Sequence, residues 1–431
     1  MTPTTDPHST SRNAFAQLGA LLLDAGYAVT DVQFSLAKVA EKTGHTNMTF
    51  AVLPQTVMVS DQPGAAATVI NATGVELPFI TTARANSLVR DMSAGKIPIT
   101  EFDTRIQQLR EASVGVSTSE MVLGSALLSA GLAILFRVPW WSVIAALVLG
   151  ALIGLFIHLA QRVRGAGTII TFAIAFCSTL AVGMLVHVMD LGPVPLFAVC
   201  APLAVMVPGA TITNALLELS ATDMVTGSSR LMYGLLVLGF MTTGIGAAAK
   251  ATGLRIDATG ANLLGEVTNV TTDLGGLEGL PPLWFSWIGV VAMAAGIGLA
   301  FKAGRMLTYV SVGAMVLTYA GISLLSGPLG GIGATGVVGA VFFFLARTLE
   351  RYVPRAPAIV TFRPAFLLLV PGTVGLVALT TSLTEIDDRA LLTALGTFLS
   401  LSIGAKTGAV ISDLIYRHEK NPDEPVNDMA S

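Results

Sequence analysis

The residues of this chain best suited to chemistry follow a proline–glycine break. Val207-Pro208-Gly209 leads into Ala210-Thr211-Ile212-Thr213-Asn214-Ala215-Leu216-Leu217-Glu218-Leu219-Ser220-Ala221-Thr222-Asp223. On a helix, Thr211, Asn214 and Glu218 fall at i, i+3 and i+7 and share one face. The break frees backbone groups, which hydrocarbon does not tolerate unless they meet protein or a watery cavity. The helix that starts there also presents free N–H groups and a partial positive charge, suited to a carboxylate. Pro208, Gly209, Thr211, Asn214 and Glu218 thus describe a site for a small polar solute. Amides would hold its carboxylate, Glu218 an ammonium or a proton, and Thr211 and Asn214 a hydroxyl. A plainer alternative is an amphipathic surface helix with Glu218 and Asp223 in water. The apolar neighbours of Glu218 weigh against it, and Asp223 fits either.

The motif recurs. Val370-Pro371-Gly372 lies 163 residues further on and is followed by Thr373, Thr380 and Thr381. Pro371, Gly372, Thr373 and Thr381 are therefore candidates for the same solute. At this offset Thr381 stands where Glu218 stands, so one half alone carries the acid. That suits a single coupling site, with Glu218 and Asp223 as proton carriers and Lys406, in Gly404-Ala405-Lys406-Thr407-Gly408, as partner to a carboxylate. Arg363 can pair with an acid or an anionic solute. His158 and His187, near the ends of apolar runs, serve either as proton relays or by snorkelling to headgroups.

The elements that must position these residues are transmembrane helices. Only 12% of the 431 residues are charged and mean hydropathy is +0.73, against about 25% charged in soluble domains. From Met121 onward the apolar runs suit crossings of a ~30 Å core. Ten spans are expected, near 119–136, 139–160, 167–189, 193–207, 229–250, 283–301, 306–326, 328–346, 358–370 and 389–413. The fourth and ninth are short and end in the Val-Pro-Gly motifs. Nearly constant offsets pair the spans five against five. An odd number per half makes the repeat inverted, an architecture of many secondary transporters that channels share. Glycines at 327, 330, 333, 336 and 339 fit close helix packing.

Lys and Arg favour both termini inside, ten against four at the span ends and tail. The expected layout is a disordered tail over 1–11, a soluble cytoplasmic α+β domain over 12–115, membrane repeats over 116–253 and 283–415, an outer connection over 254–282, and a cytoplasmic tail over 416–431. The soluble domain reads α-α-β-β-α-α, with Met48–Ser60 and Ala66–Ala72 as strands around Asp61-Gln62-Pro63-Gly64. No secretory signal pattern opens the chain.

Several function classes lack support. Net charge is −3 and pI about 6.0, which offers no nucleic-acid surface. There is no phosphate loop and no His/Cys metal spacing, so no cofactor is expected and an ion gradient is the default energy source. Cys177 and Cys200 read as packing residues. Ser35, His45, Asp31 and Asp61 would allow a membrane-anchored hydrolase, but no nucleophile-elbow pattern accompanies them. The expected partners are a small-molecule substrate, protons and the lipid bilayer; a homo-oligomer is left open.

Leu18-Gly19-Ala20-Leu21-Leu22-Leu23-Asp24-Ala25-Gly26, then Thr30-Asp31-Val32 and Ala37-Lys38-Val39-Ala40-Glu41-Lys42-Thr43-Gly44, resembles the start of the threonine/serine exporter family. The order that follows is similar too: strands, a helix around Arg84–Arg90, Gly95-Lys96-Ile97-Pro98, and two five-span halves. The resemblance implies a bacterial inner-membrane antiporter that exports threonine and serine with the proton motive force. It also leaves open a dicarboxylate exporter, since a split pair of relatives is associated with succinate. It fixes no binding residues. A passive channel on the same scaffold would differ by ignoring collapse of the proton gradient.

Overall fold

A computed structural model describes residues 7–62, 66–160, 167–257, 276–353, 355–369 and 388–420. The N-terminal unit comprises α1 (Pro7–Asp24), α2 (Val29–Lys42), β1 (Thr49–Leu53), β2 (Thr56–Ser60), β3 (Thr68–Asn71), α3 (Phe79–Ser93) and α4 (Phe102–Glu111). Its strands form one antiparallel sheet in the order β1-β2-β3, with Leu53 opposite Thr56 and Thr56 opposite Asn71. Phe15, Leu18, Leu21, Leu22, Val32, Leu36, Val57, Met92, Phe102 and Ile106 close a core beneath it.

Two local expectations are corrected. Residues 7–11 belong to α1, not to a disordered tail, because proline is favoured at a first helical position, where its missing N–H costs nothing. The expected strand Met48–Ser60 is a hairpin folded at Pro54-Gln55. Pro54 has no N–H to give a ladder, so the pairing turns there. The turn expected at Pro63-Gly64 lies outside the described residues.

The membrane part comprises α5 (Thr118–Leu135), α6 (Trp140–Ala160), α7 (Gly167–Val188), the short α8 (Leu196–Cys200), α9 (Gly209–Ser220), α10 (Met224–Thr252), α11 (Phe285–Ala300), α12 (Gly304–Tyr352), α13 (Ala358–Leu369) and α14 (Asp388–Lys420). Six of the described helices are long and apolar enough to cross a bilayer, and a bent pair makes a seventh. The protein is therefore a polytopic membrane protein. α12 has 49 residues, about 73 Å as one straight rod and more than twice the hydrocarbon thickness. It is interrupted at Gly330, whose φ of 68° and ψ of 165° reverse the chain two residues after Pro328. The boundary expected near Gly327 thus falls at Gly330.

The fourth apolar run breaks at Val207-Pro208, as its motif indicates, and a second helix follows. α8 continues as a 3₁₀ turn, Ala201–Met206, then bends by 75° through Val207-Pro208 into α9. Thr222, at φ 66°, turns the chain again, and Asp223 caps α10 by accepting the Thr226 amide at 3.2 Å. α9 and α10 form a hairpin.

α5 and α11 pack along a glycine seam. A Cβ on Gly131 would lie 2.6 Å from the Gly289 carbonyl oxygen, and one on Gly296 would lie 2.7 Å from that of Gly124. The seam reads the same in both directions. Gly289 follows Gly124, and Gly296 follows Gly131, by the same 165 residues. α7 packs on α10, and the second part of α12 packs on α14. Close backbone approach substitutes here for the hydrophobic effect, which supplies little between helices in lipid. Gly131→Ala is expected to destabilise the purified protein by about 1–3 kcal/mol, the usual overpacking cost. Gly246→Ala, which meets no atom within 4 Å, is expected to leave the thermal unfolding midpoint unchanged. Equal midpoints for both variants would contradict the seam.

Candidate functional site

The helix α9 carries the polar face that its spacing indicates, and that face is engaged by the N-terminal unit. Gly26, at φ 83°, ends α1 in the left-handed turn that glycine favours. Tyr27 and Ala28 then lead into α2, whose N-cap residue Ala28 offers no side-chain acceptor. Glu218 supplies one from across the interface. Its Oε1 accepts the Val29 amide at 2.9 Å and pairs with Arg230 Nη1 at 2.8 Å. The carboxylate therefore sits at the positive end of α2. Asn214 Nδ2 donates to the Gly26 carbonyl at 2.9 Å, and Arg230 Nη2 reaches the Tyr27 carbonyl at 3.5 Å. Glu218 is 0% exposed, and its Oε2 has no hydrogen-bond partner among the described residues.

Three cavities surround α9. The first, about 180 Å³, lies at the break, where Val207, Pro208, Ala210 and Thr211 face Pro364 and Leu367 of α13. The second Val-Pro-Gly motif follows α13 in sequence, but Pro371, Gly372, Thr373 and Thr381 lie outside the described residues, as does the Arg363 side chain. The second cavity, about 150 Å³, is polar. Thr211, Asn214 and Arg230 meet Asp24, Gln55 and Glu76 there. Asp24 is held by Arg110 at 2.9 Å and by the Thr73 and Gly74 amides.

The third cavity, about 220 Å³, carries charge of both signs. Asp31 and Asn86 of the N-terminal unit, Thr213 and Asn214 of α9, and Arg347 and Glu350 of α12 line it. Tyr27 Oη donates to Asn86 Oδ1 at 3.0 Å, and Asn86 Nδ2 donates to Glu350 Oε1 at 2.9 Å. The Thr213 hydroxyl is buried without a partner among the described residues. Arg347 lies 5.6 Å from the Phe343 ring centroid. Asp31 stays accessible from the cavity, yet protein around it pushes its carboxyl above the ordinary value, and Arg347 draws it partly back. Burial likewise raises the Tyr27 phenol, with help from the Glu350 and Asp31 charges.

Thr211, Asn214 and Glu218 share one flank, as the spacing indicates, but Glu218 is nine residues beyond the break. Asp223 serves as a helix cap. Lys406 meets no carboxylate among the described residues: its ammonium donates to the Ser220 carbonyl, an open acceptor at the end of α9. His187 is exposed, and His158 Nδ1 is buried without a partner among the described residues. His45 is bound by Thr43 and packs edge-on against Phe15, with no hydrogen bond to Ser35, Asp31 or Asp61. The sequence reading missed Arg230, Asn86, Arg347, Glu350 and Thr213 as site residues. Arg230 and Arg347 carried a signal as charges at span ends, but hydropathy uses such charges only for orientation.

The family model described as "Putative threonine/serine exporter" matches residues 13–251, more than half of the chain. The match runs from α1 into α10 and so includes both sides of the Glu218 contact. No curated protein and no solved structure matches the chain. A multi-pass membrane chain whose N-terminal unit and first membrane helices fit this model belongs to the ThrE family of amino-acid exporters.

Proposed function

We propose that this protein exports small hydroxy amino acids, threonine and serine, from the bacterial cytoplasm across the plasma membrane by proton antiport. The observation that carries this reading is the third cavity. A guanidinium, two carboxylates and a threonine hydroxyl with no partner among the described residues border a space sized for one small solute. That set complements a zwitterion with a hydroxyl group. Arg347 holds the carboxylate, Asp31 and Glu350 hold the ammonium, and Thr213 and Asn214 meet the side chain.

The wider layout belongs to the same proposal: ten spans in two inverted halves of five, a soluble unit over 12–115, and both termini cytoplasmic. The glycine seam between α5 and α11 supports it, because equivalent positions meet in opposite directions, as a two-fold axis in the membrane plane requires. Solute enters beside the N-terminal unit and moves toward the breaks, where Pro208, Gly209 and Thr211 face α13 and where Pro371, Gly372, Thr373 and Thr381 complete the path. Glu218 is the proton carrier. Protonation cancels its pairing with Arg230 and weakens its hold on Val29, which loosens the N-terminal unit. Asp223 and Lys406 hold the α9–α10 turn through which that movement passes.

Glu218→Gln keeps an acceptor for the Val29 amide and removes the charge. Efflux of labelled threonine from proteoliposomes is expected to fall about tenfold or more, the size of one charge-assisted bond, and to lose its response to an imposed proton gradient. Unchanged efflux with intact pH dependence removes Glu218 from the mechanism. For the cavity, Arg347→Gln and Glu350→Gln should each raise the half-saturating threonine concentration about tenfold or more, with serine competing and succinate not. Succinate competing as well as serine would favour a dicarboxylate exporter instead.

A further inference from the structure

A groove of about 680 Å³ lies apart from α9, between the N-terminal unit and the start of α12. Four guanidiniums converge on it from separate elements: Arg84 of α3, Arg105 of α4, Arg305 in the first turn of α12, and Arg355 just beyond its end. Arg105 is partly neutralised by Glu101 at 3.1 Å. Arg84, Arg305 and Arg355 make no hydrogen bond or ion pair among the described residues. The acid on the groove wall, Asp91, is taken by Lys96 at 3.0 Å. Three unpaired guanidiniums in one concavity repel each other, and a multivalent anion removes that repulsion.

The walls are fixed. The Phe79 amide donates to the Phe301 carbonyl at 2.9 Å, the Ile80 amide donates to the Lys302 carbonyl at 3.1 Å, and the Phe79 and Phe301 rings stack at 5.3 Å. The floor is apolar, with Ile80, Leu109 and Leu307. Beyond it, Met306 (46% exposed) and Tyr309 (76% exposed) continue an open apolar surface up the spanning helix α12. A free phosphate has no use for that surface, whereas acyl chains do.

We infer that this groove is a binding site for the phosphate headgroup of an anionic phospholipid, with the acyl chains lying along α12 past Met306 and Tyr309. Guanidiniums match phosphate oxygens in bidentate geometry, and basic pockets at the end of a transmembrane bundle suit such headgroups. The lipid ties the N-terminal unit to the bilayer at a point separate from Glu218. This inference does not depend on the transport reading, and its test measures no transport.

Full-length protein in neutral detergent, mixed with phosphatidylglycerol and examined by native mass spectrometry, is expected to retain the lipid. Arg84→Gln/Arg305→Gln should retain it about tenfold less, while Lys250→Gln, at the far end of α10, should retain it as the wild type does. The single variant Arg84→Gln, at an exposed helical position, should show a smaller loss and covers the case in which the double variant misfolds. Equal retention by wild type and the Arg84 variants overturns the site. So does equal loss in Lys250→Gln, which would mark general charge attraction. Stabilisation by millimolar inorganic phosphate with no retained phosphatidylglycerol overturns the lipid assignment.

Discussion

A carboxylate buried among apolar helices cannot stand alone, because its desolvation exceeds what a single neutral contact returns. Glu218 meets that requirement with donors from two different parts of the chain, the Arg230 guanidinium on the adjacent helix and the Val29 amide of the N-terminal unit. The docking of the two parts follows from this constraint. If the N-terminal unit moves away, Glu218 keeps Arg230 but loses its cap, and α2 loses the acceptor at its positive end. Asn214 and the Gly26 carbonyl fix the same turn from one helical turn away. Against α9, the interface is specified by polar bonds at one short turn, Gly26–Val29.

The same helix connects this contact to the break. Pro208-Gly209 and Glu218 are nine residues apart, about 14 Å along α9. The helix between them is short and begins after a 75° bend. Along this one helix the break faces α13 and Glu218 meets the start of α2. Lys406 adds a third tie by bonding the Ser220 carbonyl at the far end of the helix. α9 is thus held at both ends by different parts of the molecule.

Much of this was legible from local pattern. The i, i+3, i+7 spacing of Thr211, Asn214 and Glu218 gave the polar face, the first Val-Pro-Gly motif gave the break, and apolar runs gave the six spanning helices and the bent pair among the described residues. What stayed hidden is pairing across long separations. Nothing near Glu218 in sequence points to Val29, which lies 189 positions away. Arg230 and Arg347 look like ordinary span-end charges until their partners are in view. Lys406 looked deep enough to need a carboxylate because hydropathy does not register an open helix end as an acceptor. The divided strand at Pro54 and the chain reversal at Gly330 were the opposite case, with local signals present in a missing N–H and a glycine.

The α5–α11 seam is regular in packing, and the polar contacts around it are not. Close approach of α5 and α11 demands small residues on both helices, and glycine supplies them at 124, 131, 289 and 296. The polar contacts obey no such rule. The N-terminal unit bonds α9 through Gly26 and Val29, α12 through Asn86 and Glu350, and the end of α11 through Phe79 and Ile80. It therefore bridges residues on both sides of the seam and covers the charged cavity between them. Two of the contacts that tie the N-terminal unit down, Asn86 to Glu350 and Val29 to Glu218, end on carboxylates. A bond that ends on a carboxylate weakens when that carboxylate is protonated, whereas close packing between glycines does not depend on protonation.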